Sequence, residues 1–515
     1  MERISAKEII LLIFCLLLGF TLRFYRFDQK SLWWDEIYTY NDSRFGLKEQ
    51  ITFYKENPTF LHPPLFFLLT HLFYPFTSPE RDLRLIPLIF GTLSIPMIYL
   101  LSKSFLPAIG LHCAFFLTIM VYHISLSQEG RSYSFLMFFG MVALYFLKQH
   151  LTTLKKRFLI GAALSFALLF HSSYSSIPFI AFSQFLWFYK INGQEQRPRF
   201  SSFLILSGLT LFLCMPWLLF VTLSYRGQPI MDPHHLEDPG SLWTILYWIL
   251  NDWAPHAPLM LISGILLTLF PVVTNARKNA FVLLAIIFGP VISLYLVCRL
   301  ANVTHFISSR YFINLLPLFF IALSLSINEF EMKLQRLTKG LRLSLVFLVL
   351  FTISNLIYLP LYYRSQKIDF KGLVHFLKGH LRPGDKIFDS DRLYTTGILH
   401  YFGIYPEGRH YVIPARRISQ DEFEHNINGI FQNIRFSVTY SKSHWFKYFN
   451  DGTRLWIVSD KNNARILRER YSPQFKGYFD GSFVNMERFP TDASLYLFLW
   501  DPESPGEKGI DFSFD

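Results

Sequence analysis

Charge is scarce in this chain. Only 17% of its 515 residues are Asp, Glu, Lys or Arg, against about 25% in a typical soluble protein, which disfavours a water-soluble fold of this length. Cysteine is rarer still: Cys15, Cys113, Cys214 and Cys298 lie in or at the ends of apolar runs, and none falls in the long polar tail. That placement offers neither a disulfide framework nor a cysteine metal knuckle. No glycine-rich phosphate loop follows any predicted strand, so a bound nucleotide is not expected. A processing site is missing too. The first apolar run, residues 8–25, follows a basic stretch with Arg3 and Lys7 as a signal peptide would. No small-residue cleavage motif comes after it, and its length suits a hydrocarbon core of about 30 Å. It is expected to remain as a first membrane helix with its N-terminus in the cytoplasm.

What the chain has instead is apolar bulk: 51% hydrophobic and 18% aromatic residues, 56 of them Phe, with a mean hydropathy of +0.28. Apolar windows recur at 85–101, 107–124, 135–146, 158–169, 177–188, 203–222, 259–273, 281–297, 313–325 and 343–361. With the first run, these predict about eleven spans. Two shorter stretches, 63–76 and 242–253, are interrupted or brief and suit helices lying along the interface.

The net charge of +12 invites a nucleic-acid reading, which needs basic residues gathered on one wet face. Threading the spans from a cytoplasmic N-terminus distributes them otherwise: short cytoplasmic segments carry a surplus of roughly +11, the opposite loops about −1. The surplus is topological, and nucleic acid is not an expected partner. The expected fold is mainly α: a polytopic helix bundle over 1–361, whose outer loop 26–84 carries interfacial helices, followed by an extracytoplasmic α/β domain over 362–515. In that tail Phe370, Val374, Leu377 and Leu381 keep helical spacing, Arg382-Pro-Gly-Asp385 marks a turn, and 464–470 reads as a basic helix. Strand-like runs occur at 386–388, 411–413, 455–458 and 494–499.

The same threading gathers loops 26–84, 127–134, 225–251 and 301–310 on the outer side, with the tail. In the first of these, Asp35 and Glu36 follow the pair Trp33-Trp34. Tryptophan is ordinary at a membrane interface and acidic residues are ordinary in a wet loop, so the motif alone fits a belt or a site. Gln128-Glu129-Gly130-Arg131-Ser132-Tyr133 sits in a tight turn between apolar runs. A charged pair so near hydrocarbon is costly unless it is paired or used. It is either an ion pair capping two helices, or a second carboxylate beside a cation that recognises phosphate. His62 precedes two prolines that fix the start of an interfacial helix. Arg84 is a candidate phosphate ligand, and Arg81 a surface cation. Arg310, in Ser308-Ser-Arg-Tyr311, opens a helix where the dipole disfavours a cation, so an anion bound beside it explains it better. His234 and His235 stand side by side in an irregular loop, a weak metal signal.

Taken in order, Trp34-Asp35-Glu36, His62-Pro-Pro-Leu65, Arg84, Gln128-Glu129-Gly130-Arg131-Ser132-Tyr133 and Arg310-Tyr311 give roughly the first 330 residues a family look. The chain resembles the GT-C type membrane glycosyltransferases, among them bacterial proteins related to the dolichyl-phosphate-mannose protein mannosyltransferases and the lipid A aminoarabinose transferase. Gly130 stands where many relatives have Ala. The tail resembles the family only in position and α/β character. The resemblance implies a hexosyl- or pentosyltransferase moving a sugar from a polyprenyl-phosphate carrier to an envelope glycan, lipid or protein on the outer face of the cell membrane, with Asp35 as the catalytic residue.

The residues suit that chemistry. A sugar phosphodiester already has a good leaving group, so a base for the acceptor hydroxyl and cations for the departing phosphate matter most. Asp35 is the expected base and Glu129 the second carboxylate. Arg84, Arg131 and Arg310 are expected on the phosphate, with Glu36, His62, Tyr133 and Tyr311 lining the substrates. Glu36 should point away from Asp35, and its conversion to Gln should cost much less transfer activity than Asp35→Asn. No cofactor is expected, although the carboxylates could hold a divalent cation. The alternative, a transporter or flippase of lipid-linked substrates, calls for charges near the midplane and repeated broken helices, whereas the notable charges here collect in outer loops.

Overall fold

The computed structural model describes residues 5–56, 62–190, 200–224, 240–300, 307–334, 342–389, 392–403, 436–438, 452–481, 486, 492–504, 507 and 509–510. The first helix, α1 (Ala6–Phe24), starts at a reciprocal cap in which Ser5 and Glu8 satisfy each other's backbone N–H groups. Three short helices follow in the first loop: α2 (Trp34–Ser43), α3 (Leu47–Glu56) and α4 (Leu65–His71). The chain then enters the bundle with α5 (Pro79–Phe105), α6 (Gly110–Ile119), α7 (Val121–Ser127), α8 (Tyr133–Thr153), α9 (Lys156–Phe170), α10 (Ser176–Ser183) and α11 (Phe200–Ser224). It continues through α12 (Leu242–Trp253), α13 (Ala257–Val273), α14 (Arg277–Leu300), α15 (Leu316–Leu334) and α16 (Leu343–Arg364). Long apolar side chains such as Phe200, Phe212, Leu223 and Leu300 stay exposed on these helices, as expected of surfaces solvated by lipid.

Among the described residues, six helices are long and apolar enough to cross a membrane: α5, α8, α11, α14, α16, and α15 with the 3-10 turn Ser309–Leu315 leading into it. Two bent pairs bring the number to eight if each is one span: 107–119 with α7, bent by 63°, and α12 with α13, bent by 110°. Among the described residues six to eight spans thus pass on length and apolarity, and the eleven expected from apolar windows are not confirmed. The reasons are local. α1 carries Lys7, Glu8 and Arg23. α9 has 15 residues, about 22 Å of helix against a core of about 30 Å. α10 has 8 residues before a 3-10 turn.

After α16 the chain builds a smaller α/β unit. Helices α17 (Phe370–His380), α18 (Arg392–Phe402) and α19 (Lys461–Tyr471) accompany strands β1 (Lys386–Asp389), β2 (Phe436–Val438), β3 (Leu455–Ser459), β4 (Gln474–Phe479) and β5 (Leu495–Trp500). The strands form one sheet in the order β2-β1-β3-β5-β4. β1 pairs in parallel with β2 and β3, while β5 runs antiparallel to β3 and β4. The strand-like run 411–413 lies outside the described residues. β3 is buried throughout, and its alternate residues enter two cores. Ile457 joins Phe475, Phe498 and Leu467 of α19 on one face.

Trp456 and Val458, on the other face, join Leu373, Val374 and Leu377 of α17. That core does not stop at the tail. Leu32, Trp33, Ile37 and Tyr40 of the first outer loop, with Leu83 of α5, belong to the same buried cluster. The segment bearing Asp35 thus takes its apolar support from the C-terminal unit.

Candidate active site

Asp35 and Glu36 fall in the first turn of α2, where the helix dipole favours carboxylates. Adjacent helical positions diverge by about 100°, and the two side chains have different surroundings. Glu36 turns inward and is buried, with both its oxygens 2.7 Å from Arg84: Nε donates to Oε1 and Nη2 to Oε2. The Gly130 backbone N–H donates to the same Oε1 at 2.7 Å, and that of Trp33 reaches Oε2 at 3.4 Å. A Cβ on residue 130 would lie 2.9 Å from that of Leu83, so glycine permits this close approach.

Arg84 is spent entirely on structure. Beyond Glu36 it donates to the carbonyls of Phe27 and Lys30 at 2.9 Å each and of Ser31 at 3.1 Å. A guanidinium has five N–H donors, and these five contacts use them all. No donor is left for a phosphate. Arg84 and Glu36 together tie the first loop, α5 and the 128–131 turn into one body, where the sequence led both to be expected on substrate.

Asp35 turns toward a half-open space and meets Arg310, whose Nη2 lies 3.4 Å from Oδ2, with the two side chains 19% and 11% exposed. The Arg310 guanidinium also stands 5.2 Å from the Trp33 ring, 5.9 Å from Tyr133 and 5.6 Å from Tyr311, so a cation rests among three aromatic faces. Arg131 donates from Nη1 to the Asp35 carbonyl at 3.2 Å and to the Thr39 hydroxyl at 3.1 Å. His62 is exposed and interacts electrostatically with Arg131 and Asp35. Asp35, His62, Arg131, Tyr133, Arg310 and Tyr311, drawn from four separate segments, therefore gather in one place.

Glu129 belongs to a neighbouring space. It forms an ion pair with Lys367, just beyond α16, and the Lys367 ammonium lies 3.9 Å from the centre of the Trp33 ring. Both face a small pocket, partly open to solvent, also lined by Lys30, Gln128, Tyr362 and Gln366. Lys30 donates to the Tyr362 carbonyl at 2.6 Å. Desolvation, and then the like charges of Arg84 and Lys367, hold its ammonium well below the usual lysine range. Among the described residues, no group of three His, Cys, Asp or Glu side chains could hold a metal ion. His234 and His235 lie outside the described residues.

Residues 61–220 match the family model described as dolichyl-phosphate-mannose-protein mannosyltransferase. A search of curated proteins finds no match. Among solved structures, ArnT from Cupriavidus metallidurans in the apo state aligns over 96% of this chain and 98% of its own, with a TM-score of 0.55 at 11% identity. Its form bound to undecaprenyl phosphate gives 0.53 over the same shares, also at 11%. The apo oligosaccharyltransferase of Archaeoglobus fulgidus aligns over 98% of this chain and 75% of its own, with a TM-score of 0.52 at 12% identity. The fold is that of the GT-C membrane glycosyltransferases.

The stretch of this chain that matches the family model contains His62, Arg84, Glu129, Arg131 and Tyr133 but neither Asp35 nor Arg310. Sequence reasoning missed two contributors altogether. Lys367 carries no local motif, and only the return of the chain after the last long helix of the bundle brings it to Trp33. Asp252 of α12 accepts a hydrogen bond from the Ser309 hydroxyl, which itself accepts one from Tyr122 at 3.0 Å. This buried chain anchors the residue next to Arg310. Its one signal in the sequence was a lone carboxylate at the end of an apolar, amphipathic helix.

Proposed function

We propose that the chain is a membrane glycosyltransferase that moves a sugar from a polyprenyl-phosphate carrier to an acceptor hydroxyl on the outer face of the membrane, with inversion at the anomeric carbon. The observation that carries this reading is the Asp35 carboxylate held 3.4 Å from Arg310 in a half-open space. In this mechanism the acceptor displaces the cation from Asp35, and the carboxylate takes the hydroxyl proton as the new C–O bond forms. The sugar–phosphate bond breaks on the opposite side, and charge grows on the phosphate oxygens. Arg310, released from Asp35, and Arg131 stabilise that charge. Tyr133, Tyr311 and His62 shape the walls, and Glu129 faces the adjoining pocket. The undecaprenyl phosphate bound by ArnT supports the choice of carrier.

The test is incubation of the purified protein with a panel of radiolabelled polyprenyl-phosphate sugars, measuring which label is consumed in wild type and in Asp35→Asn. Consumption of one donor by wild type and its loss in the variant is the expected result. Equal consumption by both would remove Asp35 from the chemistry, and consumption of none by wild type would remove the reading.

A further inference from the structure

We propose that Lys367 is a positioning residue for the transfer step: the segment that leads into the C-terminal unit uses it to fix the loop bearing Asp35. The inference rests on the reading of Asp35 and Arg310 as the reacting groups. Residues 366–371 of that segment grip three consecutive residues of the loop. The Gln366 side chain accepts from the Ser31 backbone N–H at 3.0 Å, and the Lys371 N–H donates to the Ser31 hydroxyl at 3.2 Å. Lys367 lies against the Trp33 ring at 3.9 Å. Leu32, between them, is fully buried with Ile368 and Phe370 in one core.

Two properties make Lys367 the informative member of this grip. Trp33 carries both Lys367 and Arg310 against its ring, so the indole links the positioning cation to a reacting one. The ammonium also neutralises Glu129, whose side chain is only 9% exposed. Without it this carboxylate would lose its ion pair, and a buried charge that loses its pair favours rearrangement. Asp35 lies two residues beyond Trp33 at the start of α2, so movement of the indole moves the base. A displacement of about 1 Å in a reacting group costs on the order of a hundredfold in rate.

The experiment uses the full chain in lipid nanodiscs as wild type, Lys367→Met and Lys367→Arg. Hydrogen exchange over residues 31–40 and single-turnover transfer at saturating donor are both measured. Lys367→Met is expected to raise exchange in 31–40 alone and to lower the single-turnover rate at least about tenfold, with the donor KM within about threefold of wild type. Lys367→Arg, which keeps the cation on the ring, should recover most of both. Unchanged exchange in 31–40 would overturn the proposal even if no donor were ever consumed, which separates its failure from that of the proposed reaction. A raised donor KM with an unchanged rate would make Lys367 a direct substrate ligand and overturn it too. So would a loss of thermal stability with neither rate nor local exchange altered.

Discussion

Asp35 and Glu36 are neighbours in the chain with opposite assignments, and substitution should separate them cleanly. Asp35→Asn keeps size and hydrogen bonding but cannot accept a proton; it should leave a folded protein that loses about 10²–10⁴-fold in transfer rate. Glu36→Gln breaks a buried ion pair and leaves Arg84 short of a counter-charge. The expected loss is about 3–5 kcal/mol of stability, seen as reduced folded yield and a lower thermal midpoint. Activity loss in Glu36→Gln without a stability loss would contradict this assignment. Arg310→Lys keeps the charge but not the planar fork that spans two oxygens, so donor affinity should fall about tenfold in a normally folded variant. A donor affinity equal to that of wild type would remove Arg310 from the phosphate. The residue types at this site were legible because charges beside hydrocarbon are conspicuous. Which carboxylate faces which arginine was not legible, since a one-residue step around α2 exchanges interior for cleft. Arg84, Arg131 and Arg310 looked alike in sequence for the same reason, and only the carbonyls around Arg84 distinguish it.

Helices respond to length and to what their breaks expose, and this is where apolar windows misled. The windows at 158–169 and 177–188 do coincide with helical structure, α9 and then α10 with its 3-10 turn, but apolarity alone does not give the length to cross. The tail strands were easier, because β3 and β5 are short apolar runs bounded by polar residues. At this scale α18 makes a pH-dependent contact with α2. His400 is 5% exposed and packs edge-on against Tyr40, with ring centres 4.7 Å apart. Burial pushes it down to about 4, against an opposing pull from Glu80, whereas the unfolded chain titrates near 6.5. Its folded pKa is depressed. As pH falls from about 6.5 to about 4, the unfolded chain takes up a proton that the folded chain refuses, and stability drops by about 3 kcal/mol across that window. Thermal midpoints between pH 7.5 and 4.5 should show this slope, and His400→Phe should flatten it. An unaltered slope in that variant would assign the effect elsewhere.

For the molecule as a whole, the C-terminal unit is expected on the outer side with the site. Gly379→Cys would open into free space, and the native cysteines are buried, so an impermeant thiol reagent should label this variant from outside in intact cells. Labelling only after lysis would overturn the topology. The shared core makes a second demand. Truncation after residue 364 would bare Leu32, Trp33 and Ile37, each 0–1% exposed, at a cost of about 1.5–3 kcal/mol for each side chain. The truncated protein should still insert into the membrane but lose transfer activity, with loop 26–56 open to protease. Resistance of that loop would mean that it is held from within the bundle.

The bend between α6 and α7 bears on how the protein is made. Breaking a helix at Met120 strips backbone groups of their usual partners, and distant elements replace them. Arg23 of α1 donates to the carbonyls of Leu117 at 2.7 Å and Thr118 at 3.1 Å, and the Asn355 side chain of α16 accepts from the Val121 N–H at 2.9 Å. The first of these partners leaves the ribosome before the bend does. The second leaves it more than two hundred residues later, and a bare N–H in hydrocarbon costs several kcal/mol in the meantime. A nascent chain stalled short of residue 355 therefore lacks the side chain that satisfies the Val121 N–H, and one short of residue 362 lacks the Tyr362 hydroxyl that Gln128 accepts from at 2.8 Å.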